Sequence, residues 1–259
     1  MKDHSLEESL TFQDQYGHRI AAVLSIPDTS ATRLVVLCHG FLSGKNSTTN
    51  RTLTRLLNEQ GLATFRFDFF GHGESDGPFE NIMISLALHQ TLAVLDLATA
   101  RGYDRIGLVG SSFGGLVAIL TAAQRRDIAC LALKCPVVDF AEELRSTFSP
   151  EELDQWQATD TIPNIIGGPD RVRLQYDFYE DCLKHIAYGP AERITVPTLI
   201  VQGEQDECVP PHQSRRLHDA LRGPKRLDLL PGADHQFTRG EDFLRMTTSI
   251  SDWLTTYLS

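Results

Sequence analysis

Short, continuous apolar runs recur along this chain between longer stretches with helical spacing, and that alternation restricts its fold more than any other feature. Runs at 34–38, 63–69, 105–109, 129–134, 198–202 and 226–230 are rich in Val, Ile, Leu and Phe, as strands covered on both faces must be. The stretches 48–60, 82–100, 113–125, 212–221 and 241–257 have helical character, with Gly61 and Gly102 as C-terminal stops. Strand and helix taken in turn predict an α/β fold, a mostly parallel central sheet with crossover helices on both faces. Ahead of it, 10–12 and 20–26 flank Tyr16-Gly17-His18, which reads as an N-terminal antiparallel hairpin.

One segment interrupts the alternation. Residues 138–190 are polar, hold Trp156, several tyrosines and the turn signal Ile166-Gly167-Gly168-Pro169, and offer no core strand. Insertions of that length often cover active sites, so the segment is expected to form a small helical cap with helices near 150–159 and 170–185. The chain divides on this basis into a core of 1–137 and 191–259 and a cap of 138–190.

With 259 residues, 41% hydrophobic and 22% charged, the chain can bury one full core. A net charge of −10 argues against a nucleic-acid partner, since phosphate binding relies on clustered Lys and Arg. The first residues lack the apolar stretch of a signal peptide, and no run approaches a membrane span. A soluble, cytoplasmic protein is expected, with no membrane partner and with a homodimer compatible. Five cysteines (Cys38, Cys130, Cys135, Cys182 and Cys208) without a C-x-x-C pair suggest reduced thiols, with neither a disulfide framework nor a zinc site.

The strongest chemical signal is Gly110-Ser111-Ser112-Phe113-Gly114. A G-x-S-x-G string alone is weak, but here a predicted strand precedes it and a predicted helix follows, the context of a nucleophile elbow. Ser112 holds the central position and Ser111 is a structural neighbour. A serine hydroxyl needs a base to take its proton. Of nine histidines, His235 alone follows the final strand in a Gly-containing loop, Pro231-Gly232-Ala233-Asp234-His235. The acid belongs between serine and base in chain order, and Asp206 follows the penultimate strand, with Glu204 and Glu207 as solvated alternatives. Acyl transfer also needs two backbone N–H donors for the oxyanion. Phe113 supplies one and Phe41, after His39-Gly40, the other. His39 is read as ordering that loop, since its early position does not suit a base. Gly71-His72-Gly73-Glu74-Ser75 lacks the Lys-Ser/Thr of a phosphate loop and is read as a structural turn. In the cap, Tyr176 and Tyr179 are candidates for contact with substrate, as is Phe178, although such aromatics also serve to anchor a cap.

With Ser112, Asp206 and His235 in that order, the chain resembles the α/β-hydrolase superfamily over nearly its whole length. His39-Gly40-Phe41, Asp68-Phe69-Phe70-Gly71-His72-Gly73-Glu74-Ser75-Asp76-Gly77 and Gly110-Ser111-Ser112-Phe113-Gly114-Gly115 are similar to segments of bacterial feruloyl and cinnamoyl esterases and of serine aminopeptidase-like hydrolases. The resemblance implies a small-molecule carboxylic ester as substrate, a Ser-His-Asp triad and no metal or organic cofactor. Those esterases usually carry G-H-S-Q-G, so Ser111 and Phe113 are departures that point to a more apolar pocket beside Ser112. Thioester or amide cleavage, and a non-catalytic receptor on the same fold, are the rival readings. A carboxylate-nucleophile dehalogenase is disfavoured by the serine in the elbow.

Overall fold

Asp14 closes the first turn. Its carboxylate accepts the Tyr16 and His18 backbone N–H groups at 2.9 and 3.0 Å, while Gly17 takes the left-handed conformation at φ 83°. The flanking strands β1 (Leu6–Gln13) and β2 (Arg19–Ile26) pair antiparallel from Leu6 opposite Ile26 to Gln13 opposite Arg19. The computed structural model describes residues 6–27, 31–163 and 171–259.

Then follow β3 (Arg33–Cys38), α1 (Thr48–Glu59), β4 (Ala63–Phe67), α2 (Ile84–Ala100), β5 (Arg105–Ser111), α3 (Phe113–Ala122) and β6 (Ile128–Lys134). The segment after β6 contains α4 (Phe140–Thr147), α5 (Pro150–Thr159), β7 (Thr161–Pro163), β8 (Arg171–Arg173), α6 (Asp177–Lys184) and α7 (Tyr188–Ala191). The chain ends with β9 (Thr198–Gly203), α8 (Pro211–Ala220), β10 (Lys225–Leu230) and α9 (Gly240–Leu258). The main sheet has eight strands in the order β1-β2-β4-β3-β5-β6-β9-β10. From β4 to β10 every pairing is parallel, and β2 joins β4 antiparallel. This is the expected α/β architecture with its N-terminal hairpin.

Strand alternation sorts the core into two layers. Val35, Leu37, Val109, Ala132 and Val201 face one way, against α1 and α9. Leu34, Val36, Leu108, Leu133 and Ile200 face the other, in one buried cluster with α2, α3, α8 and the segment after β6. Phe140, Trp156 and Phe178 of that segment belong to the same cluster, so it packs as a continuation of the core. Among the described residues, no helix is long and apolar enough to cross a membrane.

The structure corrects three local expectations. The strand expected to reach residue 69 stops at Phe67, because the Phe69 N–H donates to His39 Nε2 at 3.0 Å and not to a neighbouring strand. The helix expected over 170–185 begins only at Asp177. Residues 171–173 instead pair antiparallel with 161–163, and Leu174 is held by its carbonyl on the Trp156 indole N–H at 2.6 Å. α4 was not foreseen at all. The turn signal at 166–169 and Asp170 lie outside the described residues.

Candidate active site

Ser112 sits between β5 and α3 at φ 52° and ψ −114°, a conformation that costs a non-glycine residue about 1–3 kcal/mol and is held only by its surroundings. Those surroundings are hydrogen bonds and close backbone contacts. The Ser112 N–H donates to the Lys134 carbonyl at 2.9 Å, and its own carbonyl accepts from Gly115 and Val137 at 2.8 and 3.1 Å. A Cβ at Gly110 would collide with the Gly114 carbonyl and Ala118, and one at Gly114 with the Cys38 and His39 carbonyls. Glycine at both positions therefore lets α3 approach β3 and β5 closely enough to form the tight turn.

Asp206 and His235 meet after β9 and β10. The Asp206 carboxylate lies 2.8 and 2.9 Å from His235 Nδ1 and also accepts from the Cys208 and Val209 N–H groups at 2.9 and 2.7 Å and from Gln202 Nε2 at 2.8 Å. Ser214 in turn donates to Gln202 at 2.7 Å, so the acid is anchored from three sides. Burial alone would raise the Asp206 pKa, but the hydrogen bond and charge of His235, then the Val209 N–H, hold it below the ordinary carboxylate value. An ionised acid accepts only, so Nδ1 carries the proton and Nε2 is left as the acceptor. Glu204 and Glu207 are exposed, yet Glu207 is not idle, because it accepts the His235 backbone N–H at 3.1 Å. The Cys135 thiol completes a group with Asp206 and His235 whose ligand atoms lie within 4.8 Å. Burial pushes that thiol well above its usual range.

The loop after β3 is organised by His39. Its Nδ1 lies 2.8 Å from the Gly40 carbonyl and its Nε2 accepts from Phe69, which fixes a neutral tautomer. Burial, then the neighbouring His72, lower its pKa to about 3. Both ring nitrogens are occupied, in keeping with a loop-ordering role. The loop brings Gly40 against the Ser112 Cβ and buries the Phe41 ring among Phe79, Phe113, Phe140 and Phe178. Neither the Phe41 nor the Phe113 backbone N–H finds an acceptor among the described residues, Phe113 because it opens α3.

The Gly71-to-Ser75 segment wraps Asp68, whose carboxylate accepts from the Lys45 N–H and ammonium at 2.7 and 2.6 Å and from the Glu74 N–H at 2.9 Å. Lys45 also pairs with Glu74. The segment is a structural turn, as expected.

Ser112 and His235 line one cavity of about 580 Å³, with Phe41, Leu42 and Phe140 among its apolar walls and Ser43, Thr48, Thr49 and Ser111 among its polar ones. Tyr176 and Tyr179 do not line it. They stack with Trp156 and with each other at centroid distances of 5.4–6.0 Å, and Tyr179 accepts from Arg145 at 3.4 Å. Phe178 contributes indirectly, as backing to Phe41 and Phe113. Two lining residues escaped the sequence. Glu143, on α4, is buried, and one of its carboxyl oxygens has no partner among the described residues; burial and then the Asp206 charge push its pKa well above the usual range. Lys134, the last residue of β6, is 3% exposed. Asp139 followed by Glu142 at capping spacing announces α4, and Asp139 does accept the Glu142 N–H at 2.8 Å.

A parallel sheet with a strained serine at one strand end, and an acid–histidine pair at the ends of two others, defines an α/β hydrolase. The chain belongs to the alpha/beta hydrolase family, whose model matches residues 35–245. It is 26% identical to an uncharacterized 31.7 kDa protein in the traX-finO intergenic region of Escherichia coli, over 99% of both chains. It is 27% identical to the human mitochondrial palmitoyl-protein thioesterase ABHD10, covering 84% of this chain and 72% of that one. Among solved structures it is similar to ferulic acid-bound Est1E of Butyrivibrio proteoclasticus, with 27% identity, a TM-score of 0.83 and coverage of 96% and 98%.

Proposed function

We propose that the protein is a serine hydrolase of carboxylic esters, with Ser112 as nucleophile, His235 as general base and acid, Asp206 as the carboxylate that orients it, and the Phe41 and Phe113 N–H groups as oxyanion donors. The observation that supports this reading is the Asp206–His235 pair, which commits Nδ1 and leaves Nε2 with no hydrogen-bond partner among the described residues, while His235 lines the same cavity as Ser112. In the reaction, Nε2 takes the Ser112 proton as Oγ attacks the ester carbonyl. The developing oxyanion is met by the two unpaired backbone N–H groups, each worth about 3 kcal/mol of transition-state binding. His235 then protonates the leaving alcohol, and water repeats the cycle on the acyl-enzyme.

A small acyl or aryl ester suits a cavity of about 580 Å³, and the ferulic acid bound by Est1E favours including hydroxycinnamoyl esters among candidates. A thioester is the second reading, motivated by the similarity to a thioesterase, and it uses the same groups. The purified protein is expected to hydrolyse p-nitrophenyl esters of short or medium acyl length, with methyl ferulate and an acyl thioester assayed alongside. Ser112→Ala is expected to abolish this activity. Turnover that survives the substitution would place the chemistry elsewhere.

A further inference from the structure

Lys134 is a buried cation that the proposed ester cleavage does not use. It lines the cavity shared by Ser112 and His235, yet its ammonium makes no ion pair or hydrogen bond among the described residues. Nζ lies 5.5 Å from the centroid of the Phe237 ring. A cation on a side chain this buried normally has a partner, because burying an unpaired charge is costly. Asp206 is engaged by His235 and by three further donors, while Glu143 makes no ion pair among the described residues and burial, then the Asp206 charge, push its carboxyl well above the usual range.

The cavity also carries hydroxyl groups. Ser43, Thr48, Thr49 and Ser111 line it and can each donate a hydroxyl hydrogen bond. Apolar side chains, among them Phe41, Leu42, Phe140 and Phe237, line it too. A substrate that fills this mixed lining is therefore amphipathic and meets one positive charge. One cation suits a monoanion, and a carboxylate surrounded by hydroxyl donors satisfies that charge without leaving an excess beside Asp206.

Resting on the serine-esterase reading, we propose that Lys134 is a specificity-determining residue, its ammonium pairing with a carboxylate carried by the substrate on one side of the scissile ester. The pairing explains why a strand that is otherwise apolar ends in a buried lysine facing the nucleophile's cavity.

Two matched pairs of esters test this and tell the sides apart. Mono-p-nitrophenyl glutarate against p-nitrophenyl valerate places the charge on the acyl side, and 4-acetoxybenzoate against phenyl acetate places it on the alcohol side. In one pair, the anionic member is expected to be preferred in kcat/KM by about tenfold or more, through KM, as one charged hydrogen bond implies. Lys134→Met is expected to collapse that ratio, and Lys134→Arg to keep most of it. A wild-type preference for the neutral ester in both pairs, or a ratio unmoved by Lys134→Met, would overturn the proposal. Absence of turnover on every ester would instead count against the esterase reading. Calorimetric binding of glutarate and 4-hydroxybenzoate then decides the role of Lys134: loss of binding in Lys134→Met supports it, and no binding to the wild type overturns it.

Discussion

His39 is neutral in the fold because both ring nitrogens are committed and no water reaches them, and this gives the protein a pH dependence of definite sign. Above the ordinary imidazole value of 6.5, folded and unfolded chains are both neutral at this residue. Below it, the unfolded chain takes up a proton that the folded His39 refuses until about 3, so its contribution to stability is lost as the pH falls through that window. His39→Gln should therefore be less stable than the wild type at pH 8, and the gap should narrow by about 1.4 kcal/mol per pH unit between about 6.5 and 3. Parallel stability profiles in urea titrations would contradict this. At Ser112 the constraint is conformational, since φ is 52°. Ser112→Gly should remove activity and raise stability by about 1 kcal/mol or more, whereas Ser112→Ala should remove activity alone. At Asp206, an Asn side chain fits the same space but no longer selects the Nδ1–H tautomer. Asp206→Asn is expected to lower kcat roughly a thousandfold to ten-thousandfold with little effect on KM.

At the scale of the element, the turn between β5 and α3 depends on what approaches it. Gly114→Ala would drive a Cβ into the Cys38 and His39 carbonyls, forcing apart the loop that carries the Phe41 N–H and the helix that carries the Phe113 N–H. Both stability and kcat are expected to fall, and esterase activity per folded molecule is the measurement that separates the two effects. The inner strands of the main sheet were legible in the sequence because each is buried along nearly all of its length and so reads as an apolar run. Ser112, Asp206 and His235 were legible because each follows a segment with strand character. The segment after β6 was less so, because three-residue strands carry no periodicity. Residues 171–173 are extended owing to their pairing with 161–163 and to the Trp156 indole on Leu174. Tyr176 and Tyr179 had the composition of a substrate wall, but they pack against Trp156 and do not line the cavity. Lys134 reads in sequence as a charge ending a strand, and only the fold brings it into one cavity lining with Phe140 and Glu143 of α4 and with the His235 loop.

For the molecule as a whole, the segment after β6 and the sheet share one hydrophobic cluster, which bears on how it unfolds. Trp156, 1% exposed, is the largest side chain of that segment in the cluster. Trp156→Ala is expected to cost about 3–5 kcal/mol and to leave a single cooperative urea transition with coincident fluorescence and circular-dichroism signals. Two separated transitions would show instead that the segment folds as an independent unit. The same shared core holds α4, whose Phe140 and Glu143 line the cavity on which the proposed chemistry rests. That chemistry is tested most directly by covalent labelling. The folded protein is treated with a fluorophosphonate and the modified peptide mapped by mass spectrometry. The adduct is expected on Ser112, absent in Ser112→Ala and strongly reduced in His235→Ala. A folded protein whose Ser112 stays unmodified, or whose label sits on another residue, would contradict a serine nucleophile activated by His235.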